Sequence, residues 1–182
     1  IVTLFPRLHS DLSKITAGLS VVELLNAATQ DGEPSEAVFK LLVDVLAAVD
    51  HATINLENVL YYFRLHFLDL MGFKPNFQTC IRCKKKVVLE ISEEEFVSFD
   101  PQGGGVVCGN CSRIFPKRLR LSFGTVKIFQ ELLRTPLAEV TTIEVPAVSK
   151  REIEETLKTY SRYHLAGAER LRAEAVSKKM AV

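Results

Sequence analysis

The distribution of cysteines constrains this chain more than any other feature. All four fall in two pairs, Cys80-x-x-Cys83 and Cys108-x-x-Cys111, and no thiol is left over. A C-x-x-C turn sets two sulfurs on one side of a tight knuckle. Two knuckles facing each other give the tetrahedron that zinc prefers. Disulfides are the alternative use of paired cysteines, but they suit small secreted domains. This chain has 182 residues, and its opening, IVTLFPRLHSDL, lacks the basic stretch and apolar core of a secretory signal. A thioredoxin-like redox motif needs one C-x-x-C at the start of a helix after a strand, and the flanks here do not read that way. The spacing therefore predicts one four-thiolate site for Zn2+, with iron as the competing ion.

The segment between the pairs supports a ribbon. Lys85–Ile91 and Phe96–Phe99 read as short β runs, Asp100-Pro-Gln-Gly-Gly-Gly105 as a turn, and Val106-Val107 as the return into the second knuckle. Four cysteines close the coordination sphere, whereas a catalytic zinc keeps a position open for water. The zinc deaminase signature also fails, because no histidine is followed two residues later by glutamate. The predicted metal site is structural.

The flanking sequence is helical. Leu12, Ile15, Leu19, Val22 and Leu25 form an apolar stripe expected to face inward, with Ser10 or Asp11 as the cap. A second helix follows Ser35, with Val38, Leu41, Leu42, Val45 and Val49 on its inner face. A third, from about Thr53 to Met71, is apolar nearly all round and should be the central buried helix. Gly72 can take the left-handed position after it, and Pro75 prevents continuation. Downstream, Ser122–Arg134 reads as a short helix and Thr141–Pro146 as an extended connector. Ser149 and Glu152 form a capping box that starts the last helix. The predicted fold class is mainly α: a helical domain with an inserted four-cysteine zinc ribbon of short β-strands. The expected parts are residues 1–76, the ribbon at 77–115, and 116–182.

Composition narrows the function. The chain is 47% hydrophobic and 25% charged, with a formal net charge of +1. No run approaches the ~18–20 apolar residues of a membrane span, so a cytoplasmic protein without a membrane partner is expected. The missing initiator Met suggests further chain before Ile1. Charge is uneven: residues 1–76 carry a net of −4 and residues 77–182 a net of +5. Arg82, Lys84, Lys85 and Lys86 crowd the first knuckle, and Arg113, Lys117, Arg118 and Arg120 follow the second. These eight are candidate phosphate contacts. The competing reading is that they offset the −2 charge of a four-thiolate dication. Phe96, Phe99, Phe115 and Phe123 are candidates for stacking unpaired bases or for packing the core. His66 reads as a hydrogen-bonded core residue. His9, His51 and His164 lack partners at motif spacing, and nothing assembles a nucleophile, base and oxyanion site, so no enzyme is expected.

Three motifs together carry a resemblance. The central segment Tyr62–Pro75, YFRLHFLDLMGFKP, runs into the first knuckle. Phe99–Cys108, FDPQGGGVVC, leads to the second pair, and Tyr160–Leu165, YSRYHL, closes the chain. In combination they resemble the RecO family of bacterial DNA repair proteins. The resemblance implies a non-enzymatic recombination mediator that binds single- and double-stranded DNA and promotes annealing. It implies action with RecR in helping RecA load onto DNA coated by single-strand-binding protein, whose acidic-hydrophobic C-terminal tail the helical domain would receive. It also implies an OB-fold before the helical domain, which this sequence does not contain. The alternative is a zinc-ribbon protein-interaction scaffold without direct DNA contact.

Overall fold

The structure is a computed structural model that describes residues 5–9, 11–29, 35–87, 96–113 and 119–168. Three helices come first: α1 Leu12–Ala28, α2 Glu36–His51 and α3 Leu56–Leu70. Strands β1 Phe96–Asp100 and β2 Gly105–Val107, the short helix α4 Gly109–Ser112 and strand β3 Leu119–Ser122 follow. The chain then returns to helix with α5 Phe123–Leu132, a 3-10 turn at Leu137–Thr142, and α6 Ala147–His164. A mainly helical domain with a small antiparallel sheet is the fold expected from the sequence.

α3 is the central element. Val59, Tyr61, Phe63, Leu65, Phe67 and Leu68 are all buried on it, and it packs against α1, α2, α5 and α6. It ends as its sequence dictates. Gly72 adopts φ +84°, and the Phe73 and Gly72 amides donate to the Leu68 and Asp69 carbonyls, satisfying two end carbonyls that the helix itself leaves open. Its start is later than Thr53, because Asn55 takes a left-handed conformation at φ 47° and its side-chain amide donates to the Thr141 carbonyl.

The inward face of α1 is not the predicted stripe. Lys14, Ala17, Gly18, Val21 and Leu24 are buried, while Leu12, Leu19 and Val22 are exposed. Both sets recur at helical spacing, so periodicity alone cannot choose between them. The buried face carries the small residues Ala17 and Gly18, and a Cβ at Gly18 would make ordinary contact with Leu8 at 3.4 Å and with Leu46 of α2 at 3.7 Å. Asp11 does cap α1, accepting from the Ser13 amide, and Ser35 caps α2. On α2, Val38, Val45 and Val49 are buried and Leu41 and Leu42 pack beside them, as expected.

Two further expectations are corrected downstream. The Ser149–Glu152 capping box does not form: α6 begins at Ala147 behind Pro146, and Ser149 is buried in the first turn. The Glu152 carboxylate is drawn instead to Ser122, accepting from its amide at 2.9 Å and its hydroxyl at 3.0 Å. Residues 137–142 form a 3-10 turn where a connector from Thr141 was expected. Asn58 of α3 holds it by donating to the Val140 and Ile143 carbonyls.

The sheet has the order β2-β1-β3. Phe96 pairs with Ser122 and Phe99 with Leu119, and on the other edge Ser98 pairs with Val107. β3 is hard to read in the sequence because it merges directly into α5, with Ser122 serving as both last strand residue and helix cap. The expected ribbon limits, 77 and 115, leave out Asn76, which bridges Gly105, and all of β3. The expected strand over 85–91 lies mostly outside the described residues. Within its described part, Lys86 bridges Thr79.

Candidate metal centre and basic surface

The first knuckle is a closed hairpin. The Cys80 amide donates to the Lys85 carbonyl at 2.8 Å, the Lys84 amide to Cys80 at 2.9 Å, and the Val87 amide to Gln78 at 2.9 Å. Closing so tight a turn sets Lys84 at φ +63°, a left-handed conformation that disfavours a side chain. The second knuckle uses a helix start: Cys108 stands at the cap of α4, and the Ser112 amide donates to its carbonyl.

These turns bring Cys80, Cys83, Cys108 and Cys111 together, with all four sulfurs within 4.8 Å of one another. A tetrahedron with metal–sulfur bonds of about 2.3 Å has edges of about 3.8 Å, which is the separation of the Cys83 and Cys108 sulfurs. Cys80 is buried, Cys108 and Cys111 are half-buried, and Cys83 is exposed. The donor set fits one tetrahedral thiolate-bound ion.

Electrostatics point the same way. Burial pushes the Cys80 thiol up, but the backbone amides of Cys83, Cys108 and Arg82 outweigh it and hold the thiol at about 6. Cys111 is pushed up to about 12, chiefly by its hydrogen bond to Cys108 and then by burial and the other two sulfurs. Amides favour a first thiolate, and the crowding of sulfurs resists the last. A bound dication reverses that second effect.

The centre is fastened to the helices through the glycine turn. The Asn76 amide donates to the Gly104 carbonyl and the Val106 amide to Asn76. Gly104 has φ +74°, and a Cβ there would come within 2.8 Å of the Tyr160 hydroxyl of α6. The His164 Nε2 lies 2.8 Å from the Pro101 carbonyl oxygen. His164 thus serves the junction between sheet and helix, a role that spacing along the chain gave no sign of.

The basic residues divide. Arg82 is committed to Asp100, donating at 3.0 Å, while the other Asp100 oxygen accepts from the Gly103 amide. Arg120 lies over the Phe96 ring, 4.5 Å from its centroid. Lys84, Lys85, Lys86 and Arg113 are exposed and form no ion pair among the described residues. Lys117 and Arg118 lie outside the described residues. Over residues 77–122 the sequence holds eight basic and five acidic side chains, so a moderate positive excess remains. Of the aromatics, Phe99 is fully buried against Phe77, Phe123 packs on the core, and Phe115 is outside the described residues. Only Phe96 of the described three is exposed.

The remaining histidines sit apart. His66 is half-buried and stacked on Tyr62 at 3.9 Å, and burial holds its pKa below the ordinary value despite a bond to the Leu132 backbone. His9 and His51 are exposed. Among the described residues no helix is long and apolar enough to cross a membrane.

Comparison with known proteins agrees with these features. The chain is 30% identical over 161 residues to the DNA repair protein RecO of Desulforamulus reducens, covering 88% of this chain and 60% of that protein. The RecO proteins of Pelotomaculum thermopropionicum and Anaeromyxobacter dehalogenans are each 32% identical over 161 residues, covering 88% of this chain and 60% and 61% of theirs. The chain thus spans about three fifths of the length of these curated relatives. The family described as Recombination protein O C terminal matches residues 9–173, and the chain belongs to that family.

Proposed function

We propose that this chain is the helical and zinc-bearing part of a DNA-binding recombination mediator that acts in DNA repair without catalysing a reaction. The observation that carries the reading is the set of exposed cations, Lys84, Lys85, Lys86 and Arg113, gathered by the two knuckles in a chain whose relatives are named DNA repair proteins. Cations so placed grip a phosphate backbone without reading sequence. Cys80, Cys83, Cys108 and Cys111 hold one Zn2+, which fixes the knuckles; iron is the competing ion. The wider activity follows the family: strand annealing, and cooperation with RecR in loading RecA onto DNA coated by single-strand-binding protein. The cleft between α1, α3 and α6 is lined by Asp11, Glu57, Glu152, Glu154 and Glu155 as well as Lys14, Arg64, Arg151 and Lys158, so its charge does not mark it as the seat of that protein's acidic tail.

The test is a titration of labelled single-stranded and duplex oligonucleotides across a salt series, with metal content measured in parallel. Binding that weakens steeply with salt and is reduced in the Lys84, Lys85, Lys86→Gln variant supports the reading. No binding at low salt rejects it. A protein-interaction scaffold is the second reading, and the exposed Leu12, Leu19 and Val22 on α1 with Phe39 and Val43 on α2 favour it. It predicts binding to RecR with no affinity for the oligonucleotides.

A further inference from the structure

One face of the sheet lies in the core; the other is covered at Val107 and Asp100 and exposed at its β1–β3 end. Val97, Phe99, Val106 and Leu121 alternate inward and are buried. By the same alternation Phe96, Ser98 and Arg120 point the other way. Ser98 and Arg120 are directly paired across the strands, so Arg120 is a diagonal neighbour of Phe96. Its guanidinium lies over the ring, yet Phe96 remains 41% exposed. A large aromatic at a solvent-facing strand position gains little from burial, and the fold spends its other ring on this strand, Phe99, wholly in the core.

We infer that Phe96 and Arg120 form a stacking platform for one unpaired base of a single-stranded nucleic acid. This rests on the DNA-binding reading above and adds to it a second kind of contact. Every base has a π face, and both aromatic rings and guanidinium planes accept it without regard to sequence. The backbone grip then belongs to Lys84, Lys85 and Lys86, and the platform contributes contact that salt does not screen. A duplex, whose bases are already stacked and paired, cannot use it.

The experiment measures binding of a single-stranded oligonucleotide with a 2-aminopurine reporter, and of a duplex, to the wild-type chain and to Phe96→Leu, Phe96→Tyr and Arg120→Gln. Metal content and thermal unfolding confirm that each variant is folded. Phe96→Leu is expected to weaken single-strand binding by about 5- to 140-fold, the range for losing one stacked base. It should leave the salt slope and duplex binding unchanged, and Phe96→Tyr should restore affinity. Arg120→Gln should likewise weaken single-strand binding while leaving the salt slope and duplex binding unchanged. Wild-type single-strand affinity in Phe96→Leu overturns the platform while leaving the DNA-binding reading intact, and so does an equal loss on duplex. Absence of binding by the wild-type chain overturns both.

Discussion

The Tyr160 hydroxyl occupies the space that a side chain at Gly104 would need, 2.8 Å from an ideal Cβ there, and donates to the Phe73 carbonyl at 3.2 Å. One tyrosine therefore ties the ribbon turn, the end of α3 and α6 together. Gly104→Ala is expected to cost about 2 kcal/mol, combining the left-handed backbone strain with displacement of Tyr160. Tyr160→Phe should cost about 1 kcal/mol for its hydrogen bond. In denaturant titrations the double variant should lose less than the two singles combined, because the phenylalanine removes the steric part. Full additivity would show that the two residues are not coupled.

Removing the metal should loosen the ribbon before the helices. A chelator, or Cys80→Ser, should lower the unfolding temperature and expose the knuckle amides to hydrogen exchange, while the amides of α3 stay protected. Metal uptake should also release protons near neutral pH, since the neighbouring sulfurs push the Cys111 thiol up to about 12 and binding must deprotonate it. Calorimetry in buffers of different ionisation enthalpy reads that release. Simultaneous loss of protection in α3 and the ribbon would show one cooperative unit.

His66 should make stability fall in mild acid. Burial holds its folded pKa below the ordinary value, so between about 6.5 and the lower folded value the unfolded chain binds more protons. The stabilising contribution is complete above about pH 6.5 and is lost as pH falls through the folded pKa. In His66→Phe, which keeps the stack on Tyr62, unfolding curves from pH 7 to 5 should be flatter than those of the wild type. Equal slopes would assign the acid sensitivity to other groups.

Asn58 is a buried tie between α3 and the 3-10 turn, donating at 2.9 Å to both Val140 and Ile143. Asn58→Ala should cost about 3 kcal/mol, because two buried carbonyls lose their donor. Asn58→Asp should cost more than the alanine variant, since a carboxylate would face the same two oxygens. Chemical denaturation orders the two, and the reverse order would mean that solvent reaches the site.

Arg82 and the lysines beside it should separate by assay. Arg82→Met breaks the ion pair with Asp100 and should lower ribbon stability with little change in the salt dependence of DNA binding. Replacing Lys84, Lys85 and Lys86 with glutamine should do the opposite. The slope of log K against log salt should shrink by up to about 0.7 for each single-strand phosphate that a lysine no longer neutralises. Identical effects from the two variants would remove the distinction between a structural and a binding cation.

The sequence by itself determined the cysteine knuckles, the glycine turn between strands, the buried central helix and its Gly72 stop. Each depends on local chemistry: ligand spacing, a backbone that must turn, or a helix apolar all round that has nowhere to go but inside. Tertiary structure alone decided which face of α1 is buried, since two stripes of helical period compete and only packing against α2 and α3 selects one. It decided that Glu152 serves Ser122 and that Arg82 is spent on Asp100. It also separated Phe96 from Phe99, which are chemically identical and three residues apart. Their difference is set by the sheet, which turns alternate side chains to opposite faces and puts a core behind only one of them.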